Sequence, residues 1–341
     1  DPETNRKTVF DTSSPVEKRI LLNNVFALEE DSYGRIWIGT AGGINIWDEQ
    51  QGKMHAITSN AKNGLVTNYI GKFTKGTDGS FWVSAWEGGL FKVEGDLKDI
   101  SALTFKVVGD FGSEKNVAGA GAVWIAMYNE LFRVDQKTLK ATPIEPFNKV
   151  ANKRDIHCLY FSKKGSLWAG THNGLIEYIA AKNEAHFYPL NTGNDIQVVS
   201  LMEDNQGNMW AAMNNAILKF NTTGYSTETF PLDKDLPLKS FFYGCAAKTS
   251  HNEIIFGGDN GYISVLPEYV LPNVYKPKVY ITNLEVNNKP VGIHEELSGE
   301  VLLKTDIPFT KAITLDYAHR SITIEFSALH YWQPTMNVYA Y

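Results

Sequence analysis

The stretch EEDSYGRIWIGTAGGINIWD, Glu29 to Asp48, decides the architecture of this chain. Three glycines, Gly39, Gly42 and Gly43, surround a Trp-Ile-Gly-Thr core, a pattern open to two readings. A phosphate-cradling loop is Gly-rich, but it leads into a helix and usually carries a lysine. Neither follows here. The alternative is a tight hairpin turn, where glycine meets the need for a positive φ at no Cβ cost.

The rest of the chain settles the choice, because the core recurs. It returns as TDGSFWVSAWEGGLFKV, GAVWIAMYNELFRVD, KKGSLWAGTHNGLIEYI, NQGNMWAAMNNAILKF and SHNEIIFGGDNGYISV. The anchors are Trp37, Trp82, Trp124, Trp168, Trp210 and, with tryptophan replaced, Ile255. They stand about 42–45 residues apart, the period of a propeller blade. The fourth unit divides into IHCLYF, SLWAGT, LIEYI and AHFYPL, four short apolar runs separated by turn residues. Helical periodicity is nearly absent. The expected fold class is all-β, a β-propeller with six recognisable blades, since a sandwich would not repeat Trp-x-Gly-Thr on one period. The tryptophans are then core packed between blades. Gly43, Gly174 and Gly261 take the positive-φ turn position, and Asn129 and Asn215 supply it where Glu130 and Ala216 replace glycine.

Composition narrows the function. The chain has 341 residues, 43% hydrophobic and 21% charged, enough for two domains or one large β architecture with an appendage. Its net charge of −6 and lack of Lys/Arg blocks argue against nucleic-acid binding. No apolar run reaches the ~18 residues that span a bilayer; the longest candidate, VAGAGAVWIAMY from Val117, is short and Gly-rich. The opening DPETNRKTVF lacks the basic start and apolar core of a signal peptide, as expected of a mature or excised piece, or of a cytosolic protein. Cys158 and Cys245 match no metal or redox spacing and read as buried free thiols.

At this level the repeat resembles the two-component regulator propeller, whose pattern is roughly V-x-x-I-x-E-D-x-x-G-x-L-W-I-G-T-x-x-G-L-x-x-Y-D. VFALEEDSYGRIWIGTAGGINIWD carries it best, the fourth and fifth units follow well, and the third and sixth are degenerate. The downstream stretches KPKVYITNLEVNNKPVG and ITLDYAHRSITIEFSALHYWQPTMNVYAY resemble the start of a triple-tyrosine domain, an immunoglobulin-like module. The implied organisation is a propeller over residues 1–265, a linker over 266–277 and a partial immunoglobulin-like β-sandwich over 278–341.

The resemblance further implies a periplasmic sensor region of a hybrid two-component system, the ectodomain of an inner-membrane protein. It implies an oligosaccharide ligand, a homodimer through the C-terminal module, and a transmembrane helix and histidine kinase elsewhere in the protein. Family propellers usually have seven blades, so the six units and an outer remnant in DPETNRKTVF fit a larger ring, with a six-bladed ring as the alternative. Serial propellers are common in the family, which would make this the second.

Alternate connections of a blade fall on opposite faces, so the turn after Trp-x-Gly-Thr shares a face with the link to the next blade. That face carries Trp86 and Glu87, Tyr128 and Asn129, His172 and Asn173, Asn214 and Asn215, and Asp259; the links add Asn23, Asn68, Arg154, Asp155, Asn194 and Asp195. Amides with a few rings suit sugars, whose C–H faces pack on aromatic rings and whose hydroxyls need paired donors and acceptors. The candidate ligand-binding residues are Trp86, Glu87, Tyr128, Asn129, Arg154, His172, Asn173, Asn214 and Asp259. Trp86 ranks first, because its turn is one residue longer than that of the fourth unit and an aromatic has no turn-forming role there. The bland reading of each Asn or Asp is turn geometry, and Arg154 has Asp155 beside it as an alternative partner. The opposite face, EDSYG and DNQG, reads as ordinary hairpin chemistry.

The competing classes are a propeller lyase or hydrolase and a protein-interaction scaffold. Catalysis needs a base or metal ligands converging on one place. The eight histidines are scattered, without H-x-H, H-x-x-x-H or H-x-E spacing; only His172 lies in the turn ring, with His157 nearby. The expectation is a non-enzymatic fragment with no catalytic residues, no metal and no cofactor.

Overall fold

In a computed structural model, the structure describes residues 7–111, 115–190, 196–214, 216–232, 236, 238–270, 278–297, 299–317 and 319–328. The chain divides into two compact units, Asp1–Pro267 and Glu268–Tyr341. Among the described residues the first unit holds six antiparallel sheets, each with its strands paired in chain order. The first is Val25–Glu30, Ile36–Thr40, Gly43–Asp48 and Lys53–Ile57. Four more four-stranded sheets begin with Ile70–Lys75, Asn116–Gly119, Ile156–Phe161 and Val198–Glu203. The sixth has three strands, Phe241–Lys248, Ile254–Gly258 and Gly261–Val265. The fold is all-β and built as a propeller.

The anchor tryptophans are what join one sheet to the next. Trp37, Trp82, Trp124, Trp168 and Trp210 are all essentially buried. Trp37 meets Phe73 and Phe81 of the second sheet, Trp124 meets Phe161 and Tyr178 of the fourth, and Trp168 meets Phe220 of the fifth. These three indoles thus face the following sheet, whereas Trp210 stacks on Phe230 of its own sheet. The glycine two residues on lets that sheet approach: a Cβ on Gly39 would lie 2.9 Å from Ile70, and one on Gly170 would lie 2.7 Å from the Val198 carbonyl. In the sixth sheet the anchor position Ile255 is only half-buried, while its neighbours Ile254 and Phe256 are buried. This is the last described sheet of the first unit in chain order.

The EDSYG side is hairpin chemistry with an added structural duty. Asp31 accepts the Trp37 indole N–H at 2.9 Å, and Asp204 does the same for Trp210 at 2.9 Å. Six residues separate acid and indole in both, so the repeated Asp-x-x-Gly-x-x-Trp satisfies a buried donor that burial alone would orphan. Burial by itself pushes the Asp31 carboxyl up. Hydrogen bonds from Trp37 and Arg35 outweigh it and hold the group below the usual carboxylate range.

Three expectations need correction. Gly174 does not carry the positive φ of its turn; Asn173 does, at 57°, and a Cβ on Gly174 would instead strike Phe187. In the third unit the left-handed residue is Tyr128, at 54°, rather than Asn129. Cys158 is a buried free thiol, but Cys245 is exposed, in the stretch between Phe241 and Ala246 where the sixth sheet's inner strand leaves its ladder. Asn194, Asp195 and Asn215 lie outside the described residues. In the opening segment, residues 7–10 form no strand; Phe10 packs on Trp47 at 4.8 Å, covering the first sheet together with Ile20.

In the second unit, Val279–Val286 pairs with Ile322–Ala328 and with Lys289–Pro290. Leu284, Val286, Leu302, Leu303 and Ile307 form its core. Residues 271–277 of the expected linker, and residues 329–341, are outside the described set.

Candidate functional site

The inner strands converge on a cavity of ≈ 830 Å³. What points into it is set by a defect that recurs in the sheets. Pairing slips between Val25 and Ala27, Ile70 and Lys72, Ile156 and Cys158, Val198 and Ser200, and Phe241 and Ala246. Each slip is a β-bulge, which leaves residues unpaired and re-aims their side chains. The bulged residues Phe26, Gly71, His157 and Phe242 to Cys245 all line the cavity. Phe26, Gly71, His157, Val199 and Gly244 each stand eleven residues before their anchor, so the bulge belongs to the repeat.

At the rim the turn between Phe81–Ala85 and Gly89–Glu94 has three residues, Trp86 to Gly88, against two in the first sheet. Gly88 and Gly89 both have positive φ, 93° and 88°, and a Cβ on Gly89 would lie 1.9 Å from the Gly109 carbonyl. This turn lifts Trp86 away from the blade core, leaving it 47% exposed. Its ring meets Tyr69 at 5.1 Å and Phe26 at 5.9 Å, and Phe26 meets Tyr69 at 5.1 Å. Phe26 and Trp86 line the central cavity, while Tyr69, Trp86 and Glu87 line a smaller recess of ≈ 300 Å³.

A second cluster centres on His157. Its ring packs edge-on against His172 at 4.6 Å and tilts against Tyr243 at 5.4 Å. Burial first, then the neighbouring His172 and Lys115, push the imidazole down to about 4, against an upward pull from Asp155. His157 is therefore neutral at pH 7. Its Nε2 is buried without a hydrogen-bond partner among the described residues. The Tyr243 hydroxyl donates to Gln197 Oε1 at 3.1 Å, and His172 bridges to Gln197. Cys158 also lines the cavity, but burial pushes its thiol up to about 12, so no thiolate is available there.

The remaining candidates are mostly occupied with holding turns to inter-blade links. Asn173 exchanges two bonds with Ile196 (2.7 and 2.8 Å), and Asn214 Oδ1 accepts the Gln197 N–H at 3.2 Å. Asp259 accepts the N–H groups of Lys239 and Ser240, which lower its carboxyl pKa. Arg154 donates to the Val150 and Ala151 carbonyls at the end of helix Glu145–Ala151 and lies 4.1 Å over Phe187, rather than pairing with Asp155. Tyr128 is 75% exposed in its turn, with Asn129 half-buried beside it. The structure thus brings Trp86 and Glu87 to one cluster and His172 to another. Phe26, Tyr69, Gln197 and Tyr243 escaped the sequence reading, although alignment on the anchors places Phe26 at the bulge position. Among the described residues no group of three His, Cys, Asp or Glu side chains is placed to hold a metal ion.

Comparison with known proteins bears on the fold. Residues 20–42 and 192–215 match the family described as two component regulator propeller. The extracellular domain of a hybrid two component system from B. thetaiotaomicron superposes with a TM-score of 0.60 at 18% identity, covering 93% of this chain and 43% of that one. Virginiamycin B lyase from Staphylococcus aureus superposes with a TM-score of 0.56 at 15% identity, covering 78% of this chain and 87% of the lyase. These neighbours share the propeller fold. In sequence, 144 residues are 26% identical to Histidine kinase P4 of Formosa agariphila, 42% of this chain and 10% of that protein. The chain therefore spans a small part of the kinase and under half of the extracellular domain. Among the described residues no helix is long and apolar enough to cross a membrane.

Proposed function

We propose that this chain is the extracytoplasmic ligand-sensing region of a hybrid two-component sensor, and that its propeller reads an oligosaccharide. The observation that carries the reading is the half-exposed aromatic trio Phe26, Tyr69 and Trp86 at the rim of a central cavity. Such rings offer flat apolar faces to sugar C–H groups, and the surrounding turns supply polar partners. The matches to two-component propeller repeats and to a histidine kinase support the sensor context. In this reading Glu87, Tyr128, Asn129, His172, Asn173, Asn214, Asp259 and Arg154 form the outer contact face.

The reading extends to the rest of the receptor. The second unit is the start of a triple-tyrosine domain that pairs two copies and passes the signal toward a membrane helix and a kinase, with the propeller in the periplasm. Ligand drives signalling only if it binds two arrangements of the dimer with different affinity. Titration calorimetry of the purified chain against neutral and acidic oligosaccharides tests the proposal. Micromolar to millimolar binding that weakens about tenfold in Trp86→Ala is expected; no binding to any member refutes it. The lyase neighbour gives the second reading, a propeller enzyme, and chromatography of the same mixtures separates the two, since turnover of any glycan favours the enzyme.

A further inference from the structure

The cavity behind the aromatic rim holds one polar feature that no structural duty explains. His157 is 7% exposed, and its Nε2 has no hydrogen-bond partner among the described residues. A buried polar atom without a partner is costly; of the five such side-chain atoms among the described residues, that of His157 is the one on a residue lining this cavity. Cys158 one residue on also borders the cavity but has its partner, its Sγ lying on the Val198 carbonyl. The bulge is what takes His157 out of the ladder and turns it to the cavity. At the same repeat position four other sheets place Phe26, Gly71, Val199 and Gly244, none of which offers a side-chain polar group; the position in the third unit, Ser113, lies outside the described residues. Among these described positions His157 is the one with a polar side chain; Tyr243 joins it from the longer bulge of the sixth sheet.

We propose that the central cavity is the inner subsite for the terminal ring of a neutral sugar, with His157 Nε2 bonding one of its hydroxyls. This deepens the glycan-sensor reading and rests on it. The cavity's ≈ 830 Å³ lies within the range that encloses a small ligand, and Phe26 and Trp86 line the path from rim to interior. A neutral imidazole suits a hydroxyl, which both donates and accepts, whichever tautomer is present. Two lysines line the cavity, Lys72 and Lys115, but Lys72 donates its Nζ to the Asn116 carbonyl at 2.6 Å and Glu29 lies on the same wall, so the neutral class is the one proposed and the acidic arm of the test is what can overturn it.

Tyr243 is the cover of this subsite. Its ring lies against His157, its hydroxyl is latched to Gln197, and it is 49% exposed. It sits in a four-residue bulge beside Gly244 at φ 64°. The sugar reaches Nε2 by displacing this ring, so the latch opposes binding.

The test combines calorimetry with ¹⁵N-histidine NMR of the whole chain, using cellobiose, maltose, lactose, xylobiose and mannobiose, and a galacturonate dimer as the acidic arm. At least one neutral disaccharide is expected to bind and to move the His157 Nε2 resonance. His157→Phe should then weaken binding about three- to tenfold, the loss of one neutral hydrogen bond, and Tyr243→Phe, which cuts only the latch, should tighten it severalfold. Unchanged affinity in His157→Phe with an unmoved resonance overturns the subsite and leaves the sensor reading standing. Binding of the galacturonate dimer alone overturns the neutral class, and binding of nothing removes both readings together. Should His157→Phe fail to fold, the wild-type resonance and the Tyr243→Phe affinity decide.

Discussion

Replacing Asp31 with alanine tests whether the repeated acid-to-indole spacing holds the propeller together. Asp31 accepts from the Trp37 indole at 2.9 Å, from Arg35 Nε at 2.8 Å, and from the backbone N–H groups of Tyr33 and Arg35. It also forms an ion pair with Arg35 at 2.7 Å, with both side chains buried. Alanine orphans one neutral buried donor, about 1–3 kcal/mol, and strips the counterion from a buried guanidinium. Breaking a buried pair costs about 3–5 kcal/mol, but Arg35 keeps a bond to the Leu97 carbonyl and a contact with the Tyr33 ring. The expected loss is therefore about 4–5 kcal/mol in all.

Asp204→Ala is the internal control. It orphans the Trp210 indole and frees Asn208, but no cation loses its partner, so about 2–3 kcal/mol is expected. Urea unfolding followed by tryptophan fluorescence and by circular dichroism, with coincidence of the two transitions checked first, reads both variants. Equal midpoints for the two would refute the charge part of the argument. Midpoints within error of the parent protein would refute the role of the spacing altogether.

Other outcomes follow from the same geometry. Gly89→Ala places a Cβ 1.9 Å from the Gly109 carbonyl at a φ of 88°; a loss of more than about 3 kcal/mol and faster amide exchange in the second sheet are expected. Tyr128→Gly relieves a left-handed backbone at φ 54° and should raise the unfolding midpoint by up to about 1 kcal/mol, since this ring is exposed. The imidazole of His157 is pushed down to about 4 in the folded chain from an ordinary 6.5. Between those values the unfolded chain binds a proton that the folded chain refuses. Stability therefore rises with pH across that window, by up to about 3 kcal/mol, and is flat for this group above it. His55, also lowered by burial, adds in the same direction. Urea midpoints from pH 4.5 to 7.5 should show a shallower slope in His157→Phe, and an unchanged slope would reject the assignment.

The architecture was legible in the residues because a repeat states the same instruction several times. The tryptophan of five periods, the glycine two residues after the anchor in three of the six and the acid six residues before it in two each answer to local needs, although the duty of the acid became visible only in the structure. The indole must be buried, its N–H satisfied and the next sheet admitted. Strand limits in the fourth unit agree closely with the runs read from it, 156–161, 166–171, 174–179 and 184–189. Trp86 stood out for the same reason, as a departure from the template. Its neighbours Phe26 and Tyr69 did not, since they come from other positions of the repeat and meet it only in space.

Turn conformations were less legible. Asn173 takes the positive φ, while Gly174 is glycine for another reason, since Phe187 crowds its Cβ position from the adjacent strand. A pattern of residue types carries no record of such a contact. The same holds for Arg154, whose partners Val150, Ala151 and Phe187 are set by a short helix and a neighbouring strand.

The alternation of strands, the turns and the stacking order follow from side-chain chemistry within about one repeat, and the chain's own residues settle them. The direction in which an inner-strand residue points does not, because a single bulge breaks the two-residue alternation and only the ladder shows where it falls. That break turns Phe26 and His157 toward the cavity, brings Tyr243 over His157 from a strand some 85 residues away, and leaves Nε2 without a partner among the described residues. Tertiary packing made a candidate site out of positions that the repeat alone reads as core.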